Sequence, residues 1–186
     1  MPGKLAFSRD LFVLLFLLRG MPFVDLAFLR RCDLQGNVIT YHRRKTSRKL
    51  TVVVGKEAME IIQKYMYAIP DSPYLFPIIQ NPGKDEYGQY ARMLRLQNYR
   101  LTQVANILGI RDRLSTYTAR HTWATTALRQ NYNSSLICDA MGHSSVKVTE
   151  TYFQPYRDDE VNRMNSSLIT YILSKKKRGT DKKIRS

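Results

Sequence analysis

A chain of 186 residues with 44% hydrophobic content can form one packed domain or a small pair, and thirty Lys and Arg against fifteen Asp and Glu leave a net charge of +15. That field favours a polyanion as partner, nucleic acid first, with a ribosomal or merely soluble basic protein as the plainer alternative. The longest apolar run, Leu11 to Leu18, falls far short of the ~20 residues that span a bilayer, and Asp10 with no small-residue cleavage site after the run argues against a signal peptide.

In chain order, SRDLFVLLFLLR at 8–19 reads as a helix with a Ser cap, buried on most sides and stopped by Gly20. A short helix follows from Pro22 through Asp25, Leu26 and Leu29. VITYHRR at 38–44 and KLTVVV at 49–54 flank the polar connection KTSR, which predicts a β-hairpin presenting Lys45 at its turn. A helix over 56–67 precedes a Pro- and Gly-rich loop at 70–88, tethered by Tyr74, Leu75 and Phe76. Helices are then expected over about 90–108, from a Ser115 or Thr116 cap to Arg129, over 134–141, from Ser145 to about Phe153, and from Asp158 to Leu173. Residues 175–186 read as a basic, disordered tail. Cys32 and Cys138 stand singly in apolar-periodic stretches, which predicts two reduced, mostly buried residues of a cytosolic protein with no redox or metal role. The fold class is mainly α with a small antiparallel sheet.

The chemically capable residues along this layout are Arg19, Lys45, Tyr117, Arg120, His143 and Tyr152. Each alone has a plain reading: a core or rim tyrosine, a solvated arginine, a solubilising lysine. Their order is more informative. On one continuous helix, positions nine apart face opposite sides, so His143 and Tyr152 in MGHSSVKVTETYF can share a site only if the chain breaks between them. Gly142 suits the residue past a helix end, and Ser144 or Ser145 suits the cap of the next helix, so a break is predicted.

ARHTWATTAL at 119–128, followed by MGHSSVKVTETYF at 141–153, resembles the paired boxes of the tyrosine recombinases, the phage integrase family. KTS at 45–47 resembles that family's hairpin with a catalytic lysine, and DLAFL at 25–29 its E-L-x-x-L helix, so the resemblance spans roughly residues 5 to 170. It implies a helical catalytic domain over 1–174 and site-specific strand exchange on double-stranded DNA through a covalent 3′-phosphotyrosine, with no metal or nucleotide cofactor. Tyr152 would then be the nucleophile. Arg120 would stabilise the charged phosphate, His143 would donate to it or move a proton, and Lys45 would protonate the departing 5′ oxygen.

Two positions depart from the family pattern. Tyr117 stands where the second box has histidine, and Pro22 stands where the first box has arginine, which leaves Arg19 as the expected substitute and Arg43 or Arg44 as stand-ins. The resemblance further implies an N-terminal clamp domain, expected to be missing here, and a monomer that assembles into a homo-tetramer on paired DNA sites, with the helix to Leu173 as the segment passed to a neighbour. A cytoplasmic, nucleoid-associated protein of bacterial or phage type is expected. A DNA-binding relative impaired in catalysis and a type IB topoisomerase-like nicking-closing enzyme are the alternatives.

Overall fold

The computed structural model describes residues 3–151 and 158–181, with the backbone alone at 160 and 172–181. The chain divides into two compact units, the first ending at Tyr152. Mainly helical architecture with one small antiparallel sheet is what the sequence predicts.

Helix α1 runs from Gly3 to Leu17, five residues ahead of the expected cap. Lys4, Leu5 and Ala6 are good helix formers, and Phe7 packs edge-on against Tyr65, so the helix extends back through Ser8. Ser8 is buried within it, and its carbonyl oxygen accepts from Gln97 Nε2 at 2.7 Å. Leu11, Leu14, Leu15 and Leu18 recur at helical spacing and are all buried. Each contributes about 1.5–3 kcal/mol relative to an exposed position. Through them α1 packs against α3 (Lys56–Tyr65), α4 (Glu86–Ile107) and α5 (Thr116–Arg129).

Helix α2 spans Phe23–Ala27 with Pro22 before it, as expected for a residue without an N–H to satisfy. A single 3₁₀ turn, Arg31–Asp33, follows and buries none of its residues. Cys32 is therefore exposed, a correction to the burial expected from the apolar spacing of the wider stretch; Cys138 is buried. The sheet has three antiparallel strands in the order β1 (Leu34–Gln35), β2 (Val38–His42) and β3 (Lys49–Val53). The register between β2 and β3 pairs Val38 with Val53 and His42 with Lys49, which turns Ile39, Tyr41, Leu50 and Val52 to the core. Strand β1, two residues long, is too short to leave a period-2 signal. The loop after α3 is held by Tyr74, Leu75 and Phe76, all buried, and by a bridge between Arg30 and Tyr74.

Helix α6 (Ser134–Met141) ends at Gly142, in the left-handed region at φ 63°, and α7 (Val146–Glu150) begins after Ser145. The predicted break between His143 and the end of the motif is present. Helix α8, Asp158–Asp181, continues eight residues past Leu173, so the tail expected to be disordered is helical as far as Asp181. Lys and Arg are good helix formers, and cations are favourable near a helix C-terminus. Among the described residues, no helix is long and apolar enough to cross a membrane.

Candidate active site

Helix α5 opens on Ser115, whose side chain accepts from the Thr118 N–H in a reciprocal capping box, and this sets the phase of the helix. With that phase Arg120, 5% exposed, turns inward. Its Nη1 donates to the Gly20 carbonyl oxygen at 2.5 Å, and its Nη2 donates to the Met141 carbonyl oxygen at 3.0 Å and to His143 Nε2 at 2.7 Å. The approach depends on Gly20: its φ is 66°, and a Cβ there would lie 3.1 Å from Arg120 Cα.

His143 follows the end of α6, where helix carbonyls lack intrahelical partners. The hairpin and α5 supply them. Arg43 Nη1 donates to the Met141 and Gly142 oxygens, each at 3.0 Å; Thr46 Oγ1 donates to the Gly142 oxygen at 3.2 Å; and Arg48 Nη1 donates to the His143 oxygen at 3.2 Å. Arg48 also pairs with Asp139 at 2.9 Å. Cationic groups at a helix C-terminus are the favourable sign. This clamp fixes the hairpin turn against the histidine loop and so brings Lys45, between two of the clamping residues, to the same place. Gly142 is required here for room as well as φ, because a Cβ would come within 2.7 Å of Arg43 Cδ and 2.8 Å of Leu50 Cδ1.

The histidine's protonation follows from its partners. A guanidinium only donates, so Nε2 holds the lone pair; Nδ1 then carries the proton and donates to Thr149 Oγ1 at 2.7 Å. Thr149 is completely buried and was not among the residues singled out from the sequence; nothing local distinguishes it from Thr151, the other threonine of the motif. In this arrangement the Nε2 lone pair of His143 faces Arg120 and its Nδ1 proton faces Thr149. Burial, with the charges of Arg120, Arg43 and Lys45, pushes its pKa down to about 4.

A consequence can be measured in the folded chain. Between pH 6.5, where an unfolded histidine titrates, and about 4, the unfolded state binds the proton more tightly, so stability falls as pH drops through that window and is fully present above it. Denaturant unfolding of the unaltered chain should therefore lose stability more steeply from pH 6.5 to 4.5 than His143→Gln does. Parallel slopes would place the imidazole in water.

Arg120, His143, Lys45 and Tyr117 line one cleft of about 380 Å³, together with Arg43 and Thr151. Tyr117 is 58% exposed and stacks on His121 with ring centroids 6.5 Å apart. Arg19 is not brought to this cleft. It sits at φ 61° beyond the end of α1, its Nη1 donates to the Thr51 carbonyl oxygen on β3 at 3.3 Å, and it lines a separate, mostly apolar cavity with Phe16, Trp123 and Ile137. The left-handed turn aims the side chain at the back of the sheet. Arg44 likewise turns away, its guanidinium 3.8 Å from the centroid of the Phe28 ring. Tyr152 lies outside the described residues; Thr151, immediately before it, is at the cleft.

Asp25, in α2, lies under the hairpin. It is buried and accepts from the Arg44 N–H at 2.9 Å and from Arg43 Nε at 3.3 Å. Burial raises its pKa, against the lowering effect of those two partners.

Residues 4–158 match the family model described as the phage integrase family. A tyrosine recombinase of Pseudothermotoga lettingae is 32% identical over 60 residues, 32% of this chain and 21% of that one. Tyrosine recombinase XerC of Thermodesulfovibrio yellowstonii is 26% identical over 135 residues, 67% of this chain and 42% of its own. The chain thus spans less than half the length of either curated relative. A XerH site-specific recombinase solved in a pre-cleavage complex with its difH substrate superimposes with a TM-score of 0.61 at 17% identity, covering 89% of this chain and 48% of that one. At that identity the likeness is one of fold.

Proposed function

The chain belongs to the phage integrase family, and from that premise we propose that it cuts and rejoins duplex DNA as a site-specific recombinase, through a 3′-phosphotyrosine on Tyr152. The observation that carries this reading is the convergence of Arg120, His143 and Lys45 from three distant parts of the chain on one cleft, with Thr151 at its edge. The Tyr152 oxygen attacks phosphorus as its phenolic proton passes to solvent, the bond from phosphorus to the 5′ oxygen breaks, and Lys45 protonates that oxygen, which would be a poor leaving group as an alkoxide, and regains a proton from solvent. Arg120, held in place by Gly20, Met141 and His143, stabilises the charge gathering on the equatorial oxygens. The phosphotyrosine conserves the bond energy, so a second 5′ hydroxyl reverses the step without a nucleotide cofactor. Residues 1–174 act in this reading as the catalytic domain.

Assembly on paired sites as a tetramer is part of the same reading. Helix α8 carries Val161, Met164, Leu168 and Ile169 exposed at helical spacing, an apolar stripe that suits a second copy of the chain. Pro22 and the solvent-exposed Tyr117 favour, as a second reading, a relative that binds DNA without cutting it.

Incubation with a nicked suicide duplex, followed by peptide mapping of the adduct, separates the two: attachment at Tyr152 is expected, and binding without any adduct would support the second reading. Binding itself should be steeply salt-dependent, with log K falling against log salt by about 0.9 per phosphate contacted, because +15 must displace condensed counterions. A flat response from low to moderate salt would remove duplex DNA as the partner.

A further inference from the structure

An in-line displacement at a phosphodiester places charge on more than one equatorial oxygen, and a single planar fork serves them incompletely. The residue whose place in the family pattern is an arginine is here Pro22, at the cleft wall but with no donor to offer. Arg19 is committed to the Thr51 carbonyl oxygen and to the other cavity. A second guanidinium nevertheless enters the cleft, from the end of β2. Arg43 is 6% exposed; its Nε engages Asp25 and its Nη1 the Met141 and Gly142 oxygens, while Nη2 has no hydrogen-bond partner among the described residues. Arg43 and Arg120 share the Met141 oxygen as acceptor, which holds the two forks side by side.

Electrostatics point the same way. Arg43, Arg120 and Lys45 face the cleft, and Asp25 is the carboxylate paired with them, so the site carries an excess of positive charge that an entering phosphate would neutralise. Two buried cations that share a single buried carboxylate are costly, and three carbonyl or carboxylate acceptors hold Arg43 there regardless.

We propose that Arg43 is a catalytic residue, donating from Nη2 to a non-bridging oxygen of the scissile phosphate and replacing from the hairpin the guanidinium that Pro22 lacks, with Asp25 as its positioning residue. The proposal rests on the recombinase reading. Its test compares rates of adduct formation on a suicide duplex with an ordinary phosphate and on one with a neutral methylphosphonate at the cleaved position. On the phosphate, Arg43→Ala and Arg43→Lys should be slower than the unaltered chain by on the order of 100-fold. On the methylphosphonate, where one charged oxygen is gone, that gap should shrink by about tenfold or more. Arg43→Lys keeps a stem over Gly142 and a positive charge, so it supplies the comparison if Arg43→Ala fails to fold. Arg19→Ala should match the unaltered chain on both duplexes. Equal slowing of the Arg43 variants on the two duplexes, or loss of rate in Arg19→Ala with the Arg43 variants unaffected, would overturn the assignment of Arg43 alone. No adduct at Tyr152 in the unaltered chain would overturn the recombinase reading and this assignment with it.

Discussion

Tyr152→Phe should abolish covalent attachment to DNA and leave non-covalent binding and the fold nearly unchanged. In the recombinase reading the Tyr152 hydroxyl is the whole of the nucleophile; the phenols that line the cleft among the described residues, Tyr90 and Tyr117, sit on α4 and α5, outside the motif that carries Tyr152. Loss of a single hydroxyl at a site that must admit DNA should alter stability by less than ~1 kcal/mol. Denaturing gels after incubation with a nicked suicide duplex report the adduct, and a salt titration by fluorescence anisotropy reports binding. Adduct persisting in the Phe variant would move the nucleophile elsewhere; an adduct on Tyr117 would make that residue the obvious place to look.

Arg120→Lys and Arg120→Ala should each slow cleavage by about 100- to 1000-fold, the range for removing a donor aimed at developing charge. The lysine is not conservative here. Arg120 satisfies the Gly20 and Met141 oxygens and His143 Nε2 with one planar group, and an ammonium on a flexible stem cannot reach all three. A stability loss accompanies the catalytic one, because the Gly20 oxygen and His143 Nε2 lose this donor, at about 1–3 kcal/mol for a buried acceptor left without one, while the Met141 oxygen keeps Arg43. Thermal unfolding measured beside the cleavage rate separates the two effects: a Lys variant that melts lower but cleaves at the full rate would reduce Arg120 to a structural clasp.

Much of the layout was legible because its signals are local. The Ser115 capping box, the Gly142 stop and the Ser145 restart each act over a few residues, and the bounds of α5 and α6 follow from them. The hairpin around Lys45 was legible from β-branched runs on either side of a polar turn. Local signals also misled. Ser8 has the chemistry of a cap, yet tertiary burial and the packing of Phe7 on Tyr65 carry α1 back to Gly3. Cys32 was expected to be buried from the apolar spacing of the wider stretch, but its immediate neighbours are Arg31 and Asp33 and it lies on a turn that buries nothing.

By itself the sequence determined the family, the mainly helical class and the chain break beside the histidine of the motif, because spacing and capping are properties of a few consecutive residues. Which guanidiniums enter that cleft was decided only by the tertiary structure. Arg19 was the nearest arginine in sequence to the vacant family position, but a left-handed backbone sends it to the sheet. Arg43 reaches the site because its acceptors, the carbonyl oxygens of Met141 and Gly142, are 98 and 99 residues away in the chain and arrive only when α6 docks on the hairpin. A long flexible cation points to wherever acceptors are concentrated, and that concentration is a property of packed elements, not of the neighbouring sequence.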